Sequence, residues 1–310
     1  MKLSIIIGAF SQGLMWSILA LGVFITYKIL DFADLTTEGA YPLGAAVAAS
    51  GIIAGMNPFL ATFLAMICGM AAGFVTGFLN TKLKIPPLLS GILAMTGLYS
   101  VNLRIMGKAN IPLLKVSTLI TFVTGLGIKN NIAVIIVGLV SVSIVIAILT
   151  WFLSTEKGYA LRATGDNMSM IRALGVNTNG MVILGLSIGN GLVSLSGGIM
   201  AQYNGYADIG MGTGTIVIGL ASVIIGEVLF GSSSILRSLI SVVFGSIVYR
   251  IIIAVVLAKG LVPTDVKLLS SVLLAVCLSL PLFKEKISAL TDTLHSAKKV
   301  KSRKAGEQNA

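Results

Sequence analysis

Charged residues are scarce in this sequence. Of the 310 residues, 11% are charged and 56% are hydrophobic, and the mean hydropathy is +0.99. Soluble domains carry about 25% charged residues. This composition excludes a soluble globular protein and indicates an integral membrane protein.

Histidine and cysteine are also nearly absent. His295 is the single histidine, and Cys68 and Cys277 have neither a C-x-x-C spacing nor a histidine nearby. Because general acid–base and metal chemistry need such side chains to converge, the sequence argues against an intramembrane enzyme and against a metal site. Both cysteines are predicted to pack as small apolar residues, without a disulfide.

A phosphate-binding loop of the form G-x-x-x-x-G-K-[ST] is missing as well. The chain is therefore predicted to bind no nucleotide and no other cofactor. Energy for any transport would come either from ATP and Mg²⁺ used by a partner protein or from an ion gradient.

What the sequence does contain is a series of apolar stretches of about 20 residues, the length that crosses a bilayer as a helix. They lack the alternation of a barrel strand, so they predict an all-α, polytopic transmembrane helix bundle. The nine predicted spans are 5–29, 39–56, 59–80, 87–107, 132–154, 180–203, 215–231, 236–257 and 266–283. The second and seventh are short and interrupted by glycine, which is typical of a broken or re-entrant element.

Basic residues lie mainly in alternate loops, which places those loops in the cytoplasm. The segment 204–214 has no lysine or arginine and falls outside, as does the N-terminus if all nine spans cross. Lys108, Lys115 and Lys129 also fall outside and weaken this orientation. The basic loops contain Lys82, Lys84, Lys157, Arg162, Arg172 and Arg237, and the tail from Lys284 continues the pattern.

The net charge of +11 does not indicate nucleic-acid binding. The tail 284–310 holds seven basic and three acidic residues, so four of the excess positive charges lie beside the last span. Such a tail is attracted to anionic lipid. We predict a transmembrane domain over 1–283 and a basic cytoplasmic tail over 284–310.

Glycines recur four residues apart within several spans. Small residues at this spacing let helix backbones approach closely, which predicts a compact bundle and favours packing inside the subunit over a dimer contact. The glycines concerned are Gly51 and Gly55, Gly69, Gly73 and Gly77, and Gly185 and Gly189.

The loop 156–179 is predicted to carry a short amphipathic helix. Gly165 breaks the preceding helix, Asp166 or Asn167 caps the new one, and Gly175 ends it. Its apolar face consists of Met168, Ile171 and Leu174, with Arg162 and Arg172 on either side. That face has to be buried, either on lipid headgroups or in a groove of a cytoplasmic partner.

Three ordered segments resemble the permeases of ATP-binding-cassette importers of the branched-chain amino acid and ribose type. In the loop, the matching residues are Gly158, Arg162, Ala163, Gly165, Asn167, Arg172, Ala173 and Gly175. The other two segments are DFADLTTEGAYPLGAAVAASG at 31–51 and GFVTGFLNTKLKIPPLLSGILAMTG at 73–97. The first of these is most similar to a branch associated with aromatic amino acids such as tryptophan or tyrosine.

The resemblance implies a permease subunit, without an ATPase site of its own, in a bacterial cell membrane. It implies cytoplasmic ATPase subunits, an external solute-binding protein and a second permease copy, for which we expect a homodimer. The loop residues that would couple to the ATPase are Arg162, Gly165, Asp166, Asn167, Met168, Ile171, Arg172, Leu174 and Gly175. The alternative is an ion-coupled secondary transporter, for which the sequence offers few carboxylates well inside a span.

Four charged residues are candidates for the translocation pathway: Asp34, Glu38, Glu227 and Arg250. Glu227 lies four residues before Gly231 at the predicted inner interface, either as a partner of Arg237 or as part of an inner gate. Arg104 approaches the outer leaflet and can extend to the headgroups. Arg250 lies deeper, where it either lines an aqueous cavity or pairs with a carboxylate.

Overall fold

The computed structural model describes residues 3–279, except for 115, 232, 261, 263 and 264. Helices dominate this part of the chain, which confirms the all-α, polytopic bundle. The helices are α1 (Leu3–Val23, continued by π-helix at Phe24–Ile29), α2 (Thr37–Ile53), α3 (Pro58–Thr81), α4 (Pro87–Met106), α5 (Leu119–Thr124), α6 (Asn130–Leu153), α7 (Glu156–Asp166), α8 (Met168–Ala173), α9 (Thr178–Asn204), α10 (Thr215–Phe230), α11 (Ile235–Ala258) and α12 (Val266–Ser279).

Seven segments among the described residues are long and apolar enough to cross a membrane, so the predicted number of about nine is not confirmed. They are Ile5–Ile29, Pro58–Thr81, Pro87–Met106, Asn130–Leu153, Thr178–Asn204, Ile209–Phe230 and Ile235–Ala258. The two remaining predicted spans correspond to α2 and α12, which are shorter. The end of the last predicted span, 280–283, and the predicted tail lie outside the described residues.

Helix α2 is an internal element. It has 17 residues, most of them buried, and it packs against α3, α4 and α9. A non-helical connection, residues 30–36, separates it from α1. Helix α10 is also short, with 16 residues, and follows a 3₁₀ turn at Ile209–Gly212. The irregular backbone thus precedes the two elements that the sequence marks as short.

Helices α1 and α9 form the centre of the bundle. In the most apolar stretch of each helix, 67% of the residues of α1 and 72% of those of α9 are buried. The corresponding fraction is 17% in α4, which lies at the periphery. Helix α9 contacts α1, α2 and α3, and α1 also contacts α10 and α11. Their buried side chains supply much of the largest hydrophobic cluster.

Glycine packing joins α3 to α9 within the subunit. A Cβ atom at Gly73 would collide with the carbonyl oxygen of Leu186, and one at Gly77 would lie 2.8 Å from the Cα of Ile183. The predicted role of these glycines in internal packing is therefore confirmed. Gly55 differs, because it has a φ of +86° and no atom within 4 Å of its would-be Cβ. It follows the end of α2 and serves the turn, not a helix contact.

A small antiparallel sheet was not predicted. Strand β1 (Asn110–Pro112) pairs with strand β2 (Tyr206–Asp208), and Asn110 lies opposite Asp208. Each strand has three residues, too few to show the two-residue periodicity by which a strand is predicted. The sheet ties the segment after α4 to the segment after α9.

Candidate functional site

A buried carboxylate lies where α1 gives way to α2. Asp34 is 2% exposed and sits in the non-helical connection 30–36. Its Oδ1 accepts a 2.9 Å hydrogen bond from the backbone N–H of Thr36, and its Oδ2 accepts a 2.6 Å bond from Nδ2 of Asn190. Because Asn190 is near the middle of the 27-residue α9, Asp34 lies deep inside the bundle.

The neighbours of Asp34 link three helices. The hydroxyls of Thr36 and Thr76 share a 2.7 Å hydrogen bond, which connects the start of α2 to α3. Asn190 Nδ2 also donates to the carbonyl of Leu186, whereas its Oδ1 is buried with no partner within the described part of the chain. Irregular backbone at membrane depth is tolerated where it is enclosed by protein or lines a cavity. The connection 30–36 meets this condition, because the protein encloses the polar cluster around Asp34.

Glu38 brings the starts of α2 and α10 together. It lies in the first turn of α2, and its Oε1 accepts a 2.9 Å hydrogen bond from the backbone N–H of Gly214, the residue before α10. The backbone of Gly212 packs directly against the carbonyl of Glu38. A carboxylate is favoured beside two helix N-termini, because both present positive partial charge.

Arg250 lies on α11 beside two aromatic residues. Its guanidinium carbon is 4.3 Å from the ring centroid of Trp16 on α1, and that ring stacks on Tyr41 of α2 with centroids 5.2 Å apart. The structure thus places Arg250 against aromatic faces. Among the described residues it has no ion pair with a carboxylate.

A cavity of about 310 Å³ lies between the π-helical end of α1 and helices α7, α10 and α11, beside the loop that is predicted to be cytoplasmic. Its charged lining residues are Lys28, Arg162, Asp166 and Glu227. Lys28 Nζ donates to Glu227 Oε1 at 2.8 Å. The predicted pairing of Glu227 with Arg237 is wrong: Glu227 pairs with Lys28, and Arg237 donates to the hydroxyl of Ser233.

The predicted coupling loop forms two helices, α7 and α8, instead of one. Asn167 caps α8, since its Oδ1 accepts a 3.0 Å bond from the N–H of Met170, and Gly175 ends it with a φ of +86°. Gly165 does not break a helix, because α7 continues through it to Asp166. Its missing side chain instead lets α7 pack against the carbonyl of Ile29, where α1 ends.

The predicted apolar face of α8 is divided by the tertiary structure. Ile171 is 7% exposed, whereas Met168 is 40% and Leu174 is 72% exposed. Helix α8 packs on α7 and α9, and this contact buries the side that carries Ile171. The exposed apolar surface at the tip is formed by Met168, Met170 and Leu174.

Both arginines of the loop contact other side chains of the same chain. Arg172 donates through Nε and an Nη atom to the hydroxyl of Thr178, at 3.2 and 3.0 Å, and so fastens α8 to the start of α9. Arg162 lies 4.6 Å above the ring of Tyr159 and borders the cavity. The sequence predicted that both arginines flank the apolar face of the short helix; Arg172 instead bonds to the start of α9, and Arg162 lies on α7.

The candidate residues therefore occupy three regions. Asp34 and Glu38 lie around the start of α2, Arg250 lies with Trp16 and Tyr41, and Glu227 lies at the cavity beside α7. Sequence reasoning missed Asn190, Trp16 and Lys28. Asn190 was the most accessible to prediction, because an amide in the middle of an apolar span is costly without a partner.

Comparison with known proteins connects these features to a family. Residues 5–279 match the model for the permease component of branched-chain amino acid transport systems. The tyrosine transport system permease protein of Clostridioides difficile (strain R20291) is 44% identical over 269 residues, which cover 87% of this chain and 88% of the relative. An uncharacterised protein of Rickettsia prowazekii (strain Madrid E) is 37% identical over 281 residues, or 89% and 98% of the two chains.

A more distant similarity covers part of the chain. The autoinducer 2 import system permease protein of Salmonella paratyphi B is 30% identical over 125 residues, which cover 38% of this chain and 36% of the relative. No solved structure matches the chain.

Proposed function

This chain belongs to the family of branched-chain amino acid transport system permease components, and on that premise we propose that it imports an aromatic amino acid with energy from a separate ATPase. It is the permease subunit of an ATP-binding-cassette importer for a small solute and a multi-pass protein of the bacterial inner membrane. The match of nearly the whole chain to a tyrosine transport permease carries the proposal about the solute.

The tip of α8 is the proposed contact with the ATPase. Met168, Met170 and Leu174 expose apolar surface there, outside the long apolar helices. An exposed apolar tip on a short helix suits insertion into a groove of a partner protein. A membrane-surface role for α8 is the competing interpretation, and loss of ATPase binding on mutation separates the two.

Contacts between α7 and α1 support a route for coupling. Gly165 of α7 packs against Ile29 at the end of α1, and Leu161 packs against Gly185 of α9 together with Leu30. The connection that follows α1 holds Asp34. Movement of α7 and α8 on ATP binding would therefore displace the backbone next to the buried polar cluster. Coupling between distant sites is carried by packed side chains and rigid helices of this kind when they have two discrete arrangements.

The remaining partners follow from the same proposal. We expect a second permease copy, an external solute-binding protein, ATPase subunits that use ATP and Mg²⁺, and anionic lipid at the basic tail. No cofactor is expected on this chain. Purification of the tagged permease from membranes, followed by identification of the bound subunits, tests the assembly, and a second permease of different sequence would refute the homodimer.

Asp34 favours one alternative function. A carboxylate buried at the depth of Asn190 is the kind of group that secondary transporters use to couple proton or ion movement. The two mechanisms differ in their energy source. Uptake of labelled L-tyrosine into proteoliposomes that contain the complete importer should require internal ATP and stop with vanadate. Uptake that persists without ATP and collapses with a protonophore would establish the alternative.

A further inference from the structure

Arg250 is a partly buried cation, and among the described residues its buried Nε has no hydrogen-bond partner and its guanidinium has no ion pair. An arginine inside a membrane domain is costly unless it pairs with an anion or reaches water. Its guanidinium instead lies over the ring of Trp16, at 4.3 Å from the centroid. A cation over an aromatic face is stabilised by the ring quadrupole, but its N–H donors remain available for hydrogen bonds.

Three buried polar atoms at this place have no hydrogen-bond partner within the described residues. They are Nε of Arg250, Nε1 of Trp16 and the hydroxyl oxygen of Tyr41. Trp16 is 8% and Tyr41 is 1% exposed. Because nearly all buried polar groups in proteins are paired, three unpaired ones in a single stack call for an explanation.

The three side chains are contiguous although they come from three helices. Arg250 of α11 contacts the ring of Trp16 of α1, which stacks on Tyr41 of α2 at an interplanar angle of 27°. Tyr203 and Tyr249 also lie close enough to Arg250 to interact with it electrostatically, and Tyr249 shares a hydrogen bond with Ser270. Among the residues that the structure describes, no acidic side chain takes part in these interactions. The cluster is thus positively charged and rich in donors.

We propose that Arg250, Trp16 and Tyr41 form a subsite for the carboxylate of the transported solute. A carboxylate accepts hydrogen bonds from guanidinium, indole and phenol donors, and a planar guanidinium matches its two oxygens. This inference rests on the proposed function, in which the solute is an amino acid. When no solute is bound, the aromatic faces stabilise the guanidinium. The carboxylate can therefore bind during transport and leave again. Separation of α1, α2 and α11 gives the solute access.

Direct binding tests the subsite without the solute-binding protein. The chain has two tryptophans, Trp16 and Trp151. In a Trp151→Phe background, Trp16 is therefore the one tryptophan of this subunit that contributes to its fluorescence. The assembled permease and ATPase in nanodiscs is titrated with 3-phenylpropionate, which has a carboxylate, and with phenethylamine, which lacks one. We expect only phenylpropionate to change the Trp16 emission, and Arg250→Gln to abolish that change. An equal response to phenethylamine, no response to phenylpropionate, or a response retained in Arg250→Gln overturns the proposal.

Transport by the complete importer gives the second measurement. With saturating solute-binding protein, Arg250→Gln should lower the maximal rate of L-tyrosine uptake by about tenfold or more, because a charged hydrogen-bonding partner is lost. Arg250→Lys should restore part of the rate. Arg104→Gln, an exposed position on α4, is the matched control and should transport normally.

The outcomes separate the two proposals. Failure of the unmodified importer to take up L-tyrosine refutes the proposed solute. Normal uptake by Arg250→Gln, in an importer that does transport L-tyrosine, refutes the subsite alone. Assembly of each variant with the ATPase, measured on the same preparations, shows that a lost rate does not come from a lost complex.

Discussion

Asn190 and Asp34 are 156 positions apart in the chain, yet the side-chain amide of one donates a 2.6 Å hydrogen bond to the carboxylate of the other. This bond fastens the connection between α1 and α2 to the middle of α9. It also explains how a carboxylate is retained inside an apolar bundle, since each of its oxygens accepts a hydrogen bond.

Removing the amide should destabilise the bundle. Asn190→Leu keeps a similar side-chain volume but leaves Oδ2 of Asp34 without its donor, at a cost of about 1–3 kcal/mol in the free energy of unfolding. Asp34→Asn should cost less, because a carboxamide oxygen still accepts one hydrogen bond. Thermal unfolding of the detergent-purified protein measures both. Equal stability of Asn190→Leu and the unmodified protein would show that the bond contributes nothing.

The contact between α3 and α9 depends on a missing side chain. In Gly73→Ala the new Cβ meets the carbonyl of Leu186, so the helices must move apart. Overpacking of this kind costs about 1–3 kcal/mol. Gly97→Ala on α4 is the matched control, because no atom lies within 4 Å of its would-be Cβ. That variant should be neutral or slightly more stable, and a lower melting temperature for it would contradict the packing argument.

The exposed tip of α8 should determine ATPase binding. A buried apolar side chain contributes about 1.5–3 kcal/mol, so Leu174→Asp should weaken retention of the ATPase on the tagged permease by tenfold or more. Ser169→Asp places the same charge at another exposed position of α8 and should retain the ATPase. If both variants retain it, α8 is a membrane-surface helix.

Ile171 should behave differently from Leu174. It is buried against the protein itself, so Ile171→Asp places a charge in the packed interface of α8 and should lower the yield of folded protein. Leu174→Asp should leave the yield unchanged. Size-exclusion chromatography of the two variants distinguishes loss of folding from loss of docking.

Side-specific labelling tests the orientation. In a Cys68→Ala and Cys277→Ala background, a cysteine at Lys157 should react only from the cytoplasm and one at Asn204 only from outside. Both positions are exposed, and α9 (Thr178–Asn204) lies between them. Labelling of both from the same side would show that α9 does not cross the membrane, and the reverse pattern would invert the bundle.

Several features of the fold could be predicted because they depend on local composition. The apolar length of a span is set by the thickness of the bilayer, so α3, α6, α9 and α11 begin and end within two residues of the predicted bounds. The cap at Asn167 and the stop at Gly175 also follow from local backbone chemistry. The number of spans could not be predicted this way, because α2 is apolar but only 17 residues long, and its ends depend on its packing against α3, α4 and α9.

The candidate site depended far more on tertiary structure. The spacing of Met168, Ile171 and Leu174 indicates one apolar face, but α7 and α9 cover Ile171 and leave its neighbours exposed. Lys28 pairs with Glu227 although Arg237 is closer in sequence, since α1 and α10 bring their ends together.

The sequence by itself thus determined that this chain is a polytopic helical membrane protein, because scarce charge and long apolar stretches admit few other solutions, and the resemblance of three segments pointed to a permease. Which polar groups meet inside the bundle was decided only by the tertiary structure. Asp34 with Asn190, and Arg250 with Trp16 and Tyr41, come from different helices, and no local periodicity encodes their distance. Helix packing fixes it, and the cost of an unpaired polar group in an apolar interior makes those few contacts matter.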